Sequence, residues 1–314
     1  MNLHQFRFVQ EAVRCGFNLT DTAKALHTSQ PGISKAIIEL EDELGVEIFA
    51  RHGKRIRGLT EPGKQVLRSV DLILREIGNL RRIGQQFSHQ DSGTLRIATT
   101  HTQARYVLPT PIATLRQAYP KVSVSLHQGS PTEVALMLLN DQADLGVATE
   151  ALAEYEDLIT LPCYEWQHMV VVPRDHPLAA IEALRLEDLA EHPLMTYTPA
   201  YTGRHRIDMA FATRRIKPNV VLEAIDSDVL KTYAELGMGV GIVAEMATRA
   251  ESLNPKLVAL PAGHLFGRNV ARVAFKRGAY LRHYVLRLAE GISDRLNTTL
   301  ILKALQGHGE HFDL

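Results

Sequence analysis

A chain of 314 residues is longer than one hydrophobic core usually supports, so a small domain beside a larger one is expected. Hydrophobic residues make up 45% and charged residues 22%, which excludes the disordered and fibrous classes. Lysine plus arginine and aspartate plus glutamate both number 35, so net charge is silent on nucleic acid and any DNA-binding surface must be a local patch. The two cysteines, Cys15 and Cys163, make a poor disulfide framework and suit a reducing, cytoplasmic compartment. No stretch approaches the roughly 18 apolar residues of a membrane span. The first ten residues, with His4, Gln5 and Arg7 among them, lack the apolar centre and cleavage site of a signal peptide, so neither export nor a membrane partner is expected.

Leu3, Phe6, Val9 and Val13 recur at helical spacing and predict an opening amphipathic helix that residues 15–18 terminate. Thr20 or Asp21 can cap a second short helix through Leu26, with Ala23 and Ala25 small enough for another helix to cross closely. After Thr28 and Ser29 a third helix opens with Pro31 in its first turn, where a missing N–H costs nothing, and runs to Leu44 before Gly45 stops it. With Ile33, Ile37, Leu40 and Leu44 turned inward, the opposite face near its start carries Gln30, Pro31, Ser34 and Lys35. Short polar and basic side chains placed there suit base edges and phosphates, as in the second helix of a helix-turn-helix. Taken alone, the segment fits a small helical bundle with a solvated face equally well.

Residues 51–60 then read as a β-hairpin carrying Arg51, Lys54, Arg55 and Arg57 and no acid. Beside a helix-turn-helix, such a hairpin is a wing that follows the phosphate backbone or enters the minor groove. Thr60, Glu61 and Pro62 start a helix to about residue 89, in which Val66, Val70, Ile73, Ile77, Leu80, Gly84 and Phe87 step alternately by four and three. A lone helix cannot bury such a seam, so pairing with a second copy of the chain is expected. Leu67, Leu74 and Ile83 widen the stripe and leave packing onto its own domain open.

Strand patterns follow at residues 95–98, 122–126, 145–148, 169–172, 194–197, 220–223, 240–243 and 270–275, most of them separated by helices. That alternation predicts a mainly parallel sheet covered by helices, with ligands held beyond the carboxyl ends of the strands. Two sub-sheets joined near residues 161–168 and 262–269 would leave a cleft between them.

The segment Thr99, Thr100, His101, Thr102 and Gln103 leaves a strand and enters a helix, gathering hydroxyls, an amide and free backbone N–H groups where a sulfate, phosphate or carboxylate would sit. Local capping accounts for only one or two of the threonines. Similar corners at residues 148–150 and 201–204 could close over the same cleft, whereas Ser130 and Glu133 read as a capping box. Trp166 could wall a pocket or fill a core. There is no nucleophile elbow, H-E-x-x-H or P-loop, so no catalytic residues are assigned. Gly237, Gly239 and Gly241 follow a helix and lead into a strand, the reverse of a dinucleotide fingerprint, and read as a helix stop. His308 and His311 read as a polar tail, so no metal site is expected.

Ala23-x-x-Leu26-x-x-Ser29-Gln30-Pro31-x-Ile33-Ser34-Lys35, with Leu40-Glu41-x-x-Leu44-Gly45-x-x-x-Phe49-x-Arg51 and Leu59-Thr60-x-x-Gly63, resembles the signature of LysR-type transcription regulators. The resemblance runs through the whole chain and is closest to the CysB-like subgroup, which governs sulfur assimilation. Its marks are residues 99–106, 127–132, 148–152 and 161–164. It implies an α/β protein with an N-terminal winged helix-turn-helix over residues 1–60, a linker and dimerisation helix over 61–90, and a two-lobed effector domain like a periplasmic binding protein over 91–314. Lobe I would take residues 91–164 and 268–304, and lobe II residues 165–267. It further implies a homodimer, commonly assembled as a homotetramer on double-stranded promoter DNA, with RNA polymerase as an additional partner.

DNA contacts are expected at Thr28, Ser29, Gln30, Pro31, Ser34, Lys35, Arg51, Lys54 and Arg55. The family's ligand positions fall on Thr100, Thr102, Gln103, Thr149, Thr202 and Trp166, for sulfate, thiosulfate or an O- or N-acetylserine, and no cofactor is implied. A transporter's solute-binding protein would suit the third region alone, but it leaves the N-terminal module and the missing export signal unexplained.

Overall fold

The computed structural model describes residues 1–53, 55–88 and 92–307, with Thr202 described in its backbone only. Lys54, His308 and His311 therefore lie outside the described residues. The chain divides into two compact units, Met1–Phe87 and Ser88–Leu314.

The first unit opens with α1 (Leu3–Arg14), α2 (Leu19–Ala25) and α3 (Gln30–Leu44). Asn18 caps α2 by accepting from the N–H groups of Thr20 and Asp21, so the cap lies before the expected pair because the helix begins at Leu19. Ser29 caps α3, and Gly45 ends it in the left-handed region at φ 70°. Ile33, Ile37 and Leu40 are fully buried with Val9 and Ala12 of α1. Leu44 is instead 38% exposed, because Glu41 takes the inward place in the last turn of α3. A wing follows from β1 (Phe49–His52) and β2 (Arg55–Leu59), paired antiparallel with Phe49 opposite Leu59.

The long helix α4 (Glu61–Ser88) divides the predicted seam. Its first turns pack Val66, Leu67, Val70 and Leu74 onto the core of their own unit, while Leu80 and Phe87 are 68% and 74% exposed. The helix is anchored where Thr60 Oγ1 accepts from Gly63 N–H at 2.9 Å. A Cβ at Gly63 would lie 1.9 Å from the carbonyl oxygen of Ile48, which explains why a glycine sits in the first turn of this helix. A Gly63→Ala variant should lose about 1–3 kcal/mol of stability in the first unit through overpacking, read as a lower denaturation midpoint.

The second unit holds β3 (Ser92–Thr99), α5 (His101–Tyr106), α6 (Pro109–Ala118), β4 (Lys121–Gln128), α7 (Pro131–Leu139), β5 (Leu145–Thr149) and β6 (Leu158–Pro173). It continues through α8 (Leu186–Ala190), β7 (Pro193–Tyr197), α9 (Thr202–Thr213), β8 (Asn219–Ala224), α10 (Ser227–Glu235), β9 (Val240–Ala244), β10 (Leu257–Pro261) and α11 (Gly263–Phe266). The described part ends with β11 (Arg268–Lys276), α12 (His283–Ile292) and α13 (Thr298–Leu305). The strands run in the order β4-β3-β5-β11-β6-β9-β7-β8, with β10 paired to β6.

The sheet is mixed rather than mainly parallel. β3 pairs in parallel with β4 and β5, and β7 with β8 and β9. The pairs made by β6, β10 and β11 are antiparallel. The cause is β6, a 16-residue strand whose first part lies against β11 and whose second part lies against β9 and β10. It crosses from one lobe to the other, and β11 returns beside it. Lobe I packs Ile97, Val147 and Phe275 against Leu288 and Ile301 of its covering helices. Lobe II packs Val170 and Ile242 against Phe211 on one face, and Met195 and Val243 against Leu230 on the other. The carboxyl ends of the parallel strands in both lobes face the gap that β6 spans, the position where ligands bind open α/β sheets.

Candidate functional site

The start of α3 presents its predicted face to solvent, with Thr28, Ser29, Gln30, Pro31 and Lys35 exposed and Ser34 half-buried. Ser29 also serves the helix, its hydroxyl accepting from Gly32 N–H at 3.3 Å. The Lys35 ammonium has Glu39 at 3.7 Å, an exposed pair that solvent screens and that leaves the charge available. Arg51 is engaged differently: its guanidinium donates to Glu41 at 2.6 Å, and the same carboxylate accepts from the N–H groups of Ile48 and Phe49 at 2.8 and 3.0 Å. This pairing ties the wing to the third helix. Among the described wing cations, Arg51, Arg55 and Arg57 are exposed, Arg51 while held by Glu41.

In the second unit, Thr100, Thr102 and Gln103 at the start of α5 meet Thr149 at the end of β5 and Trp166 in β6 around one cleft of about 370 Å³, partly open to solvent. Tyr197, Tyr201, Gly203 and Ala244 complete its lining from the lobe II side. Five of the six predicted effector positions thus converge, and the side chain of the sixth, Thr202, lies outside the described atoms. Tyr197 and Ala244 were missed because they end buried strands and read as core, although the strand-end rule points to them.

Among the described residues the lining holds no lysine, arginine, aspartate or glutamate; it sets three threonine hydroxyls and an amide among aromatic and other apolar surface. Trp166 is 6% exposed, and its Nε1 has no hydrogen-bond partner among the described residues. The Tyr197 hydroxyl accepts from Ala244 N–H at 2.8 Å and shares a 2.6 Å bond with Ser227. The Gln103 amide oxygen accepts from the hydroxyl of Tyr164. Gly203 admits α9 to the cleft wall, since a Cβ there would stand 2.9 Å from His168 Nε2 and 3.3 Å from the Trp166 ring. Burial, with help from the Arg206 charge, holds the His168 imidazole down at about 3, so it is neutral at physiological pH.

Two sets of side-chain contacts join lobe I to lobe II. Tyr106 donates to Asp228 at 2.7 Å, and Lys231 donates to Tyr106 at 3.1 Å and to the carbonyls of Ala247 and Ser252. Arg206 of lobe II donates to Glu150 of lobe I at 2.8 Å, and Glu150 also accepts from Val270 N–H at 3.2 Å. His101, Asp226 and Asp228 are close enough to suggest a cation site, but Tyr106, Lys231 and Arg105 already occupy the Asp228 carboxylate. Burial pushes the Cys163 thiol up to about 12 and raises that of Cys15, so neither offers a reactive thiolate.

Residues 3–64 match the family described as bacterial regulatory helix-turn-helix protein, lysR family, and residues 88–297 match the LysR substrate binding domain. The chain is 59% identical to the HTH-type transcriptional regulator CysB of Burkholderia cenocepacia over the whole of both proteins. It is 53% identical to the regulator SsuR of the same organism, over 98% of this chain and 99% of that one. The crystal structure of the cofactor-binding domain of the Cbl transcriptional regulator is similar with TM-score 0.65 at 44% identity, covering 68% of this chain and 93% of that chain. The chain belongs to the LysR family of DNA-binding transcription regulators, among its regulators of sulfur assimilation. It is a regulator and not an enzyme or a transporter component. No helix among the described residues is long and apolar enough to cross a membrane.

Burial opposes ionisation of Asp228, but its bonds from Tyr106 and Lys231 outweigh this and hold the carboxyl below its ordinary value. Its contribution is therefore complete above the unfolded carboxylate value of about 3.9 and is lost as pH falls through the folded one. Asp228→Asn at neutral pH should loosen this tie and speed amide hydrogen exchange in α5 and α10, leaving α3 unchanged.

Proposed function

We propose that this regulator reads sulfur supply by closing its two lobes on a small effector bearing an anionic group, of the sulfate, thiosulfate or O- or N-acetylserine class. One observation carries the reading: Thr100, Thr102, Gln103, Thr149 and Trp166 bring neutral polar groups to one cleft between strand ends, with an indole N–H that has no partner among the described residues. Fixed dipoles in a partly buried site stabilise negative charge without the desolvation cost of a paired cation. Thr202, the first residue of α9 beside Gly203, belongs to the proposed site.

The protein acts in the cytoplasm on double-stranded promoter DNA as a homodimer or homotetramer, with RNA polymerase as its further partner. Leu80 and Phe87, exposed on α4, support pairing with a second copy. Thr28, Ser29, Gln30, Pro31, Ser34 and Lys35 enter the major groove, while the wing cations, Lys54 among them, meet phosphates. An anion that binds the closed lobes more tightly than the open ones shifts the population between two arrangements of the bound oligomer.

Calorimetry of the full chain against sulfate, thiosulfate and the two acetylserines tests the ligand class. Thr102→Ala should weaken the preferred anion about tenfold or more, the loss of one hydrogen bond to a charged group. Normal binding of every one by that variant would remove the cleft from the account. For the DNA surface, Lys35→Ala should cost about 1–3 kcal/mol of promoter binding and narrow the preference for that promoter over unrelated duplex. Unchanged affinity at physiological salt would show that the assigned helix face does not contact the duplex.

A further inference from the structure

We propose that Tyr164 decides which anions the cleft accepts, by committing the Gln103 carboxamide to present only N–H donors to the ligand. The inference rests on the anion-binding reading above and concerns the selectivity of the same site.

Gln103 is 2% exposed in the first turn of α5, so its amide has few partners to choose from. The hydroxyl of Tyr164, reaching over from β6, donates to Gln103 Oε1. Burial pushes that phenol above its ordinary value, so it keeps its proton and remains a donor at neutral pH. With the oxygen engaged, the NH₂ group is the part left for the cleft. A flipped amide would turn its carbonyl lone pairs towards a bound anion.

The other fixed groups follow the same rule. Trp166 Nε1 is only a donor. The Tyr197 oxygen already accepts from Ala244 N–H. Among the described residues no carboxylate lines the cleft. The Gln103 carbonyl is therefore the one side-chain acceptor among them that carries no proton of its own, and Tyr164 withdraws it. The hydroxyls of the threonines and of Tyr201 can turn to accept, but a hydroxyl that accepts from the ligand points its own proton away from it. A fully ionised tetrahedral oxyanion, all of whose outer atoms are acceptors, matches such a lining. Phosphate near neutrality keeps at least one O–H, whose hydrogen would be buried without a partner, and a mismatch of that kind is what lets a binding site reject a close analogue. Tyr164 is thus a positioning residue: it acts on the ligand through Gln103.

The test titrates the full-length protein at neutral pH with sodium sulfate, sodium thiosulfate and sodium phosphate, following the emission of Trp166, the sole tryptophan. Wild type should favour sulfate over phosphate by at least about tenfold, and Tyr164→Phe should narrow that ratio about tenfold. In a Gln103→Leu background, removing the Tyr164 hydroxyl should leave the ratio unchanged. Gln103→Glu keeps Tyr164 intact and places a carboxylate oxygen towards the ligand, so it should move the preference towards phosphate even if Tyr164→Phe fails to fold. A merely structural tyrosine would weaken both anions in parallel. Equal wild-type affinity for sulfate and phosphate, or a ratio that neither Tyr164→Phe nor Gln103→Glu changes, overturns this inference and leaves the anion reading standing. A wild-type protein that binds neither sulfate nor thiosulfate overturns both.

Discussion

Strand β6 carries the architecture of the sensing unit. Its 16 residues belong to both lobes, pairing first with β11 and then with β9 and β10. Because one continuous strand supplies a wall to each lobe, the side chains near its middle stand between them, and Tyr164, Trp166 and His168 all lie there. Backbone pairing on both sides of the crossing fixes these residues, while the carboxyl ends of the parallel strands supply hydroxyl and amide groups opposite them. The cleft therefore forms where two half-sheets share a strand. Its chemistry follows from strand ends and helix starts having backbone and side-chain donors to spare.

The N-terminal unit obeys a comparable economy. Glu41 is nearly buried, yet it has three donors: two backbone N–H groups at the entrance to β1 and the guanidinium of Arg51. A buried carboxylate is tolerable only when its lone pairs are satisfied in this way. Here the satisfaction joins the third helix to the wing through the Arg51 guanidinium, which leaves that cation engaged within the protein.

Much of this was legible in the sequence, for reasons that individual residues show. Pro31, Gly45 and the apolar repeat Ile33, Ile37, Leu40 mark a helix start, stop and buried face through local rules alone, and α3 has those limits. The threonines around residue 100 exceed the needs of capping, and Thr100 and Thr102 do line the cleft, while the Thr99 hydroxyl donates to the Val147 carbonyl instead. What remained hidden depends on tertiary partners. The first half of β6 contains Pro162, which interrupts the ladder where the register shifts, and Glu165 and Gln167 among apolar residues, so its pattern resembles a loop. The mixed character of the sheet follows from that strand and could not be read without it. Leu44 looked internal by periodicity alone, but Glu41 held that place through hydrogen bonds made by residues several positions further along. The α4 seam likewise reads as one repeat, whereas Val66 and Val70 pack at home and Leu80 and Phe87 stay open.

The uncharged lining of the cleft has a consequence for the medium in which the regulator works. Mobile counterions screen attraction between exposed charges within about 10 Å at 0.1 M ionic strength, but they act little on oriented dipoles buried in a crevice. Osmotic stress that floods a cell with potassium would therefore erode the grip of lysines and arginines on the duplex while barely disturbing occupancy of the sensor. On the proposed reading, the molecule's two recognition surfaces would answer to different variables of the cell, one to total electrolyte and the other to a single solute.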